Sequence, residues 1–268
     1  MATKVERLRS RLSEVESAIV AFSGGVDSTY LLRVAVDVLG ARVLALTTTS
    51  AAVPGHELEA ARLLAAEIGA RHLVVATDEV EIADYARNPL NRCYFCKDNL
   101  YRLCRDHASR LDLEAIFDGV NLDDLGDFRP GLDAAREQGV RHPLVEAEMT
   151  KADVRAASRM LGLRTAEKPA SPCLASRFPY GTPITRDRLR QVEVAESAVR
   201  AAGFREFRVR YEGSTARLEI SPEEIDRFAD AAMRSSLLEG VRRAGFERVV
   251  LDLDGFRSGS LNPKAVVR

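Results

Sequence analysis

The sequence predicts an α/β protein, a doubly wound parallel sheet followed by a smaller C-terminal α+β domain, and three observations carry that expectation. An apolar run, Ala18-Ile19-Val20-Ala21-Phe22, passes through Ser23-Gly24-Gly25-Val26-Asp27-Ser28 into a helical pattern of Leu31, Leu32, Val34, Ala35 and Val38, which reads as strand, tight turn and helix. Strand-like runs then alternate with helical ones as far as residue 160, the rhythm of a parallel sheet with helices on both faces. Beyond a proline-rich stretch the pattern changes to short alternating strands, marking a second domain. At 268 residues there is room for two cores. The expected divisions are 1–168 for the sheet domain, 169–184 for a cysteine-bearing linker and 185–268 for the second domain.

The elbow at Ser23-Gly24-Gly25-Val26-Asp27-Ser28 is the centre of the sequence. Two glycines allow a sharp turn and close approach to a ligand, and the following helix points unpaired N–H groups and its positive dipole end at the loop. Such a place binds phosphate. A Walker loop would end in Gly-Lys-Ser or Gly-Lys-Thr, and the chain contains no Gly-Lys pair.

The remaining elements follow in order. Residues 4–15 predict an amphipathic helix on Val5, Leu8, Leu12 and Val15; residues 42–46 a second strand ending in Thr47-Thr48-Thr49-Ser50; and Pro54 opens a helix to residue 68. Thr47 and Ser50 stand at a strand's carboxyl end, where α/β sheets bind ligands, and fit either helix caps or adenosine contacts. A third strand at 72–76 leads into an acidic, solvated stretch. Cys93 and Cys96 lead into a helix through Leu100, Leu103 and Cys104; their spacing suits two thiolates on one metal or cluster from a loop or first helical turn, and Cys104 falls on the core face. A strand at 114–117 runs into a loop containing Asp118, Gly119, Asn121, Asp123, Asp124, Asp127 and Arg129, suited to a nucleotide edge with magnesium. Residues 141–144 predict a last short strand, with no catalytic role for His142, and Thr150 caps a helix to residue 160. Between residues 168 and 183 the prolines exclude regular structure, leaving Cys173 in a loop beside Arg177. A helix from residue 185 to near Gly203 precedes strands at 207–211 and 216–220, then helices over 221–244 and a strand at 248–253. Alternation places Phe207, Val209, Leu218 and Ile220 on a core face, and Arg208, Arg210, Arg217 and Glu219 on a face that is either solvated or anion-binding.

Composition bounds the partners. With 39 basic and 40 acidic residues and a net charge of −1, no broad nucleic-acid or membrane footprint is expected. A charged amino terminus and the lack of a run of about 18 apolar residues predict a cytoplasmic protein. In a reducing compartment its four cysteines are core residues, metal ligands or reactive thiols rather than disulfides.

The six-residue elbow resembles the phosphate loop of the PP-loop ATP pyrophosphatase superfamily, which has the adenine nucleotide alpha hydrolase-like fold and cleaves ATP to AMP and pyrophosphate. Taken together, SGGVDS, NRCYFCK, DGVNLDDLGDFRPGL, SPCLASRFPYG and RVRYEGSTARLEI resemble the LarE family, ATP-dependent sulfur transferases of nickel-pincer nucleotide biosynthesis. The resemblance implies ATP and Mg2+ on Ser23, Gly24, Gly25, Asp27 and Ser28, with Thr47, Ser50, Gly119, Asn121 and Asp124 around the nucleotide and Asp27 holding magnesium. It implies a pyridinium-3,5-biscarboxylic acid mononucleotide substrate near Ser176, Arg177, Glu196, Arg208 and Arg210. It further implies sulfur supplied from sulfide or another donor through a [4Fe-4S] cluster on Cys93, Cys96 and Cys173, or from a sacrificial Cys173, and a homo-oligomer, a hexamer in the family. Zinc on the same three thiols plus a histidine is an alternative. A tRNA-thiolating enzyme is another, although a second Cys-x-x-Cys and a basic run are both missing. A nucleotide sensor that releases no pyrophosphate is a third.

Overall fold

The computed structural model describes residues 1–126, 130–257 and 261; Asp127 and Arg129 of the acidic loop lie outside the described residues. In chain order the elements are α1 (Ala2–Leu12), β1 (Ala18–Ala21), α2 (Val26–Leu39), β2 (Val43–Thr49), α3 (Gly55–Ile68), β3 (Arg71–Ala76), α4 (Ala83–Ala86), α5 (Arg92–Arg110), β4 (Ala115–Phe117), α6 (Gly131–Glu137), α7 (Pro143–Glu146), α8 (Lys151–Met160), α9 (Arg186–Ala201), β5 (Phe207–Glu212), β6 (Thr215–Ile220), α10 (Ala231–Arg243) and β7 (Arg248–Leu251). They fall into two units, Met1–Ile82 with Asn91–Ser171, and Ala83–Leu90 with Pro172–Arg268. The second unit therefore takes a segment from inside the stretch expected as the sheet domain.

The first unit is built on a parallel sheet in the order β3-β2-β1-β4. Successive side chains of a strand point to opposite faces. Ala18 and Val20 enter a core with Leu8 and Leu12 of α1, Leu31 and Ala35 of α2, and Val154 of α8. Ile19 and Ala21 enter another with Tyr101, Cys104 and Ala108 of α5 and Ala134 of α6. Because both faces are covered, β1 is apolar throughout, as a doubly wound sheet requires. Each fully buried Leu or Ile contributes about 1.5–3 kcal/mol of transfer free energy. The chain runs outward from β1 to β2 and β3, then returns to place β4 on the other side of β1. A crevice opens at such a switch in direction, at the strands' carboxyl ends.

One expectation in this unit needs correction. Arg141 makes only an isolated parallel bridge to Phe117, and α7 begins at Pro143; proline has no N–H for a ladder and its fixed φ suits a first helical turn. Cys93 and Cys96 stand at the start of α5, which begins at Arg92, the helical one of the two placements expected for them.

In the second unit β5 and β6 form an antiparallel hairpin and β7 joins β6 in parallel. Gly213 turns the hairpin with φ +65. The core face carries Val209, Leu218 and Ile220 as expected. The opposite face is not solvated at Arg210 and Glu219, which are 5% and 0% exposed. The helices expected over 221–244 are a 3-10 run, Pro222–Ala229, and α10; Asp230 stops the first and caps the second, accepting from the N–H groups of Ala232 and Met233. Ala83–Leu90 joins this unit through backbone bonds from Ile184 N–H to Ala86 and from Gly181 N–H to Asn88. The Asn88 side chain, fully buried, donates to the Pro179 carbonyl at 2.8 Å.

Candidate functional site

The phosphate loop joins β1 to α2 at the switch in strand order. Gly24 sits at φ +69, and a Cβ there would approach the Ala61 backbone to 3.1 Å, so both conformation and space call for glycine. Gly25 is the N-cap of α2 and leaves the first N–H groups without a capping side chain. The Ser23 and Ser28 hydroxyls meet at 3.0 Å, and Gly25 N–H donates to Ser23 Oγ at 3.3 Å, folding the turn around its own side chains.

The loop after β4 closes on this turn. A Cβ on Gly119 would lie 2.8 Å from the Ser28 nitrogen, so only glycine permits this approach. Asn121, fully buried, donates from Nδ2 to Asp27 Oδ1 at 3.3 Å. Asp124 accepts from Asn121 N–H at 3.0 Å, and Asp123 accepts from Lys151 N–H at 2.8 Å. The Lys151 ammonium forms an ion pair with the other oxygen of Asp27. Lys168 donates to the Gly24 carbonyl at 3.0 Å and to Glu57 at 2.6 Å. Burial works to raise the Glu57 pKa, but hydrogen bonds from Lys168 and Ser171 outweigh it and hold the carboxyl below its ordinary range.

The predicted nucleotide residues Ser23, Gly24, Gly25, Asp27, Ser28, Gly119, Asn121 and Asp124 thus meet in one place. Thr47 and Ser50 are engaged locally. Thr47 Oγ1 donates its one proton to the Phe22 carbonyl at 2.7 Å and meets His72 Nε2 at 2.8 Å, and Ser50 Oγ accepts from Ala52 N–H. Two cations missed by sequence reasoning, Lys151 and Lys168, complete the surroundings of the turn. The only sequence signal for Lys151 was its place after Thr150, whose capping box with Asp153 sets it at the first position of α8.

In the second unit Cys173 is half-buried and precedes a 3-10 turn, Leu174–Arg177. Arg177 is 3% exposed and pairs with the equally buried Glu196 through two bonds of 2.7 and 2.9 Å. Its remaining donor contacts reach the carbonyls of Pro172 and Cys173 and the Ser176 hydroxyl. The bidentate pair therefore fixes the backbone that carries Cys173. Arg210 donates to Glu219 at 2.9 Å and to the Ser176 carbonyl at 2.9 Å. Arg208 stacks 4.7 Å over the Phe256 ring. Burial, and then the positive charge of Arg177, push its pKa down to about 10 against the opposing pull of Glu196 and Glu206. Of the residues predicted for substrate, Ser176, Arg177, Glu196 and Arg210 hold one another, while Arg208 donates to the Phe207 carbonyl at 2.6 Å.

Cys93 is exposed and Cys96 half-buried on the first turns of α5. Cys104 is fully buried, and burial pushes its thiol up to about 12, as its place on the core face predicted. Among the described residues no three His, Cys, Asp or Glu side chains are gathered to hold a metal ion. Thiolates suit an iron–sulfur cluster by their chemistry, and Cys93 and Cys96 stand three apart at the start of one helix.

A family model described as NAD synthase matches residues 2–102, the part that contains the phosphate loop. The chain is 44% identical to an uncharacterized protein of Synechocystis sp. over 98% of both chains. It is 38% identical to the pyridinium-3,5-bisthiocarboxylic acid mononucleotide synthase of Lactiplantibacillus plantarum, over 98% of this chain and 95% of that one. An uncharacterized protein of Methanocaldococcus jannaschii is 24% identical over 95% of this chain and 98% of its own.

Proposed function

This chain belongs to the LarE family of the PP-loop superfamily, and from that premise we propose that it is an ATP-dependent sulfur transferase converting a carboxylate of pyridinium-3,5-biscarboxylic acid mononucleotide to a thiocarboxylate. The observation that carries the proposal is the closure of Gly119 and Asn121 on Ser28 and Asp27, with Lys151 and Lys168 beside the same turn. The open N–H groups of α2 receive the β and γ phosphates. Lys151 would offset their charge, and Asp27 would hold the magnesium that accompanies ATP, an ion that would stabilise the charge developing on the phosphates.

The substrate carboxylate oxygen attacks the α phosphorus, the bond to the bridging oxygen breaks, and pyrophosphate leaves. A sulfur nucleophile then attacks the acyl carbon, its bond to the AMP oxygen breaks, and AMP leaves. The substrate's own phosphate is assigned to Arg208. Cys93, Cys96 and Cys173 are assigned to sulfur handling, in the cluster form or with Cys173 as sacrificial donor. The assembly is proposed to be a homo-oligomer, hexameric as the family resemblance implies, working in the cytoplasm; among the described residues no helix is long and apolar enough to cross a membrane.

The test is release of pyrophosphate and AMP from ATP with and without the pyridinium substrate. Substrate-dependent release that disappears in Asp27→Ala supports the proposal. Release that responds to tRNA and not to the mononucleotide would replace it with the RNA-thiolating alternative.

A further inference from the structure

The His142 imidazole meets one hydrogen-bond partner among the described residues and has no role in the chemistry above, yet its position ties it to the phosphate loop. Arg141 N–H donates to the Ile116 carbonyl at 2.9 Å, and Asp118 N–H to the Arg141 carbonyl at 3.3 Å. These bonds set Asp118 and His142 side by side, where the two parallel segments end. Asp118 is 2% exposed. Its Oδ2 accepts from the Tyr101 hydroxyl at 2.6 Å, and its Oδ1 meets His142 Nδ1 at 2.7 Å and accepts from Val120 N–H at 3.1 Å.

We propose that His142, acting through Asp118, positions the 118–121 turn against the phosphate loop and thereby sets the affinity for ATP. A buried carboxylate is tolerated only when its oxygens are satisfied. Asp118 is ionised and accepts only, so Nδ1 carries the proton that it donates. The imidazole and Val120 N–H share a single oxygen, so the imidazole fixes the direction of Oδ1 and with it the Val120 peptide. Gly119, between them, is the residue that no side chain could replace against the Ser28 nitrogen, and Asn121, next along, reaches Asp27. Without the imidazole the carboxylate is held by the Tyr101 hydroxyl and Val120 N–H alone, and this weaker hold on Oδ1 loosens both contacts at once. The charges facing His142 are Asp118 at the end of β4, Glu146 on α7 and Lys97 on α5. Burial opposes the charged imidazole, but its bond to Asp118 outweighs this and raises its pKa, so the pair is stronger than a neutral contact.

The inference rests on the ATP site proposed above and is tested by equilibrium ATP binding, independent of turnover. His142→Leu removes the donor. His142→Asn keeps a nitrogen where Nδ1 stood. The Leu variant is expected to bind ATP about five- to tenfold more weakly and the Asn variant within about twofold of wild type. Val154→Ala, which weakens the core of the same unit without touching this turn, should leave ATP affinity unchanged. In the wild-type chain, ATP should also shift the imidazole NMR signals of His142, a readout that needs no variant to fold. Equal affinity in the Leu variant, Asn no better than Leu, or no imidazole shift would overturn the positioning role. A wild-type chain that fails to bind ATP would instead overturn the nucleotide site itself, and this inference with it.

Discussion

Lys151 and Asp27, 124 positions apart in the chain, form an ion pair that ties the first turn of α8 to the first turn of α2. The two charges neutralise one another; on the proposed function phosphates would compete for the ammonium and magnesium for the carboxylate. Lys151→Met should reduce pyrophosphate release by about a hundredfold, the scale of losing one donor from a site of developing charge. Its thermal unfolding should stay close to that of wild type, since partly exposed pairs contribute about 1 kcal/mol or less. Release within about threefold of wild type would remove Lys151 from the phosphate site.

Lys168 acts on the turn itself. By holding the Gly24 carbonyl it fixes the plane of the peptide whose N–H belongs to Gly25. Lys168→Ala should raise the KM for ATP about tenfold with a smaller change in kcat, because a hydrogen bond from a charged donor is worth about 1.5–3 kcal/mol. Glu57→Gln, which leaves the lysine in place with a weaker partner, should show a smaller change in the same direction. Steady-state kinetics at saturating mononucleotide would distinguish this from a uniform loss of activity.

The Arg177–Glu196 pair makes a prediction about stability and about a thiol together. Replacing Glu196 with Gln leaves a buried guanidinium without its countercharge, at about 3–5 kcal/mol, so chemical denaturation should move to lower denaturant. Because Arg177 also holds the Pro172 and Cys173 carbonyls, the native-state rate at which a thiol reagent modifies Cys173 should rise. Unchanged Cys173 modification in a destabilised Glu196→Gln chain would uncouple the pair from the cysteine loop.

For the sulfur source, protein prepared without oxygen should carry about four iron atoms and four acid-labile sulfides per chain and lose both in the Ser variants of Cys93, Cys96 or Cys173, but not of Cys104. Iron-free protein whose Cys173 becomes lighter by one hydrogen sulfide on turnover would establish the sacrificial route.

The Asp118–His142 pair sets a pH window for stability. Burial works to raise Asp118 from its ordinary 3.8, but the His142 bond outweighs it and the net shift is downward; burial works to lower His142 from 6.5, and the Asp118 bond makes the net shift upward. The histidine contribution is fully present below about pH 6.5 and is lost as pH rises through its raised folded value. The carboxylate contribution is present above about pH 3.8 and is lost as pH falls through its depressed folded value. The gap in melting temperature between wild type and His142→Leu should therefore be widest between about pH 4 and 6.5 and narrow at higher pH. A gap that widens between about pH 7 and 9 would contradict the pairing.

Much of this was legible because local chemistry repeats in the fold. Strands covered on both faces are apolar without interruption, so β1 and β2 stood out, and the glycines of the elbow marked a turn that nothing larger could make. Cys104 declared itself by helical spacing. Less visible was whatever depends on distant partners. Lys151 and Lys168 carry no sign in sequence of the residues they meet 124 and 144 positions away. Arg177, Glu196, Arg210 and Glu219 looked like surface or ligand residues because buried charges are rare unless paired, and pairing across the chain is not written in any local pattern. Pro143 was a different failure: its signal for a helix start was present but outweighed by short apolar neighbours.

The passage of Ala83–Leu90 into the second unit has a consequence for biosynthesis. On a chain made from its amino end, Asn88 emerges 91 residues before Pro179, whose carbonyl its side chain meets. At ribosomal speeds of about 5–20 residues per second that is a wait of roughly 5–20 s. Throughout it Tyr85 and Asn88, both buried in the finished protein, have no cover from the later chain, while β1, β2 and β3 are already available to pair. Nor can the amino-terminal unit be excised at the linker as a self-sufficient piece. A fragment ending at residue 171 would keep Ala83–Leu90 yet lack every residue from Pro172 onward that completes its surroundings.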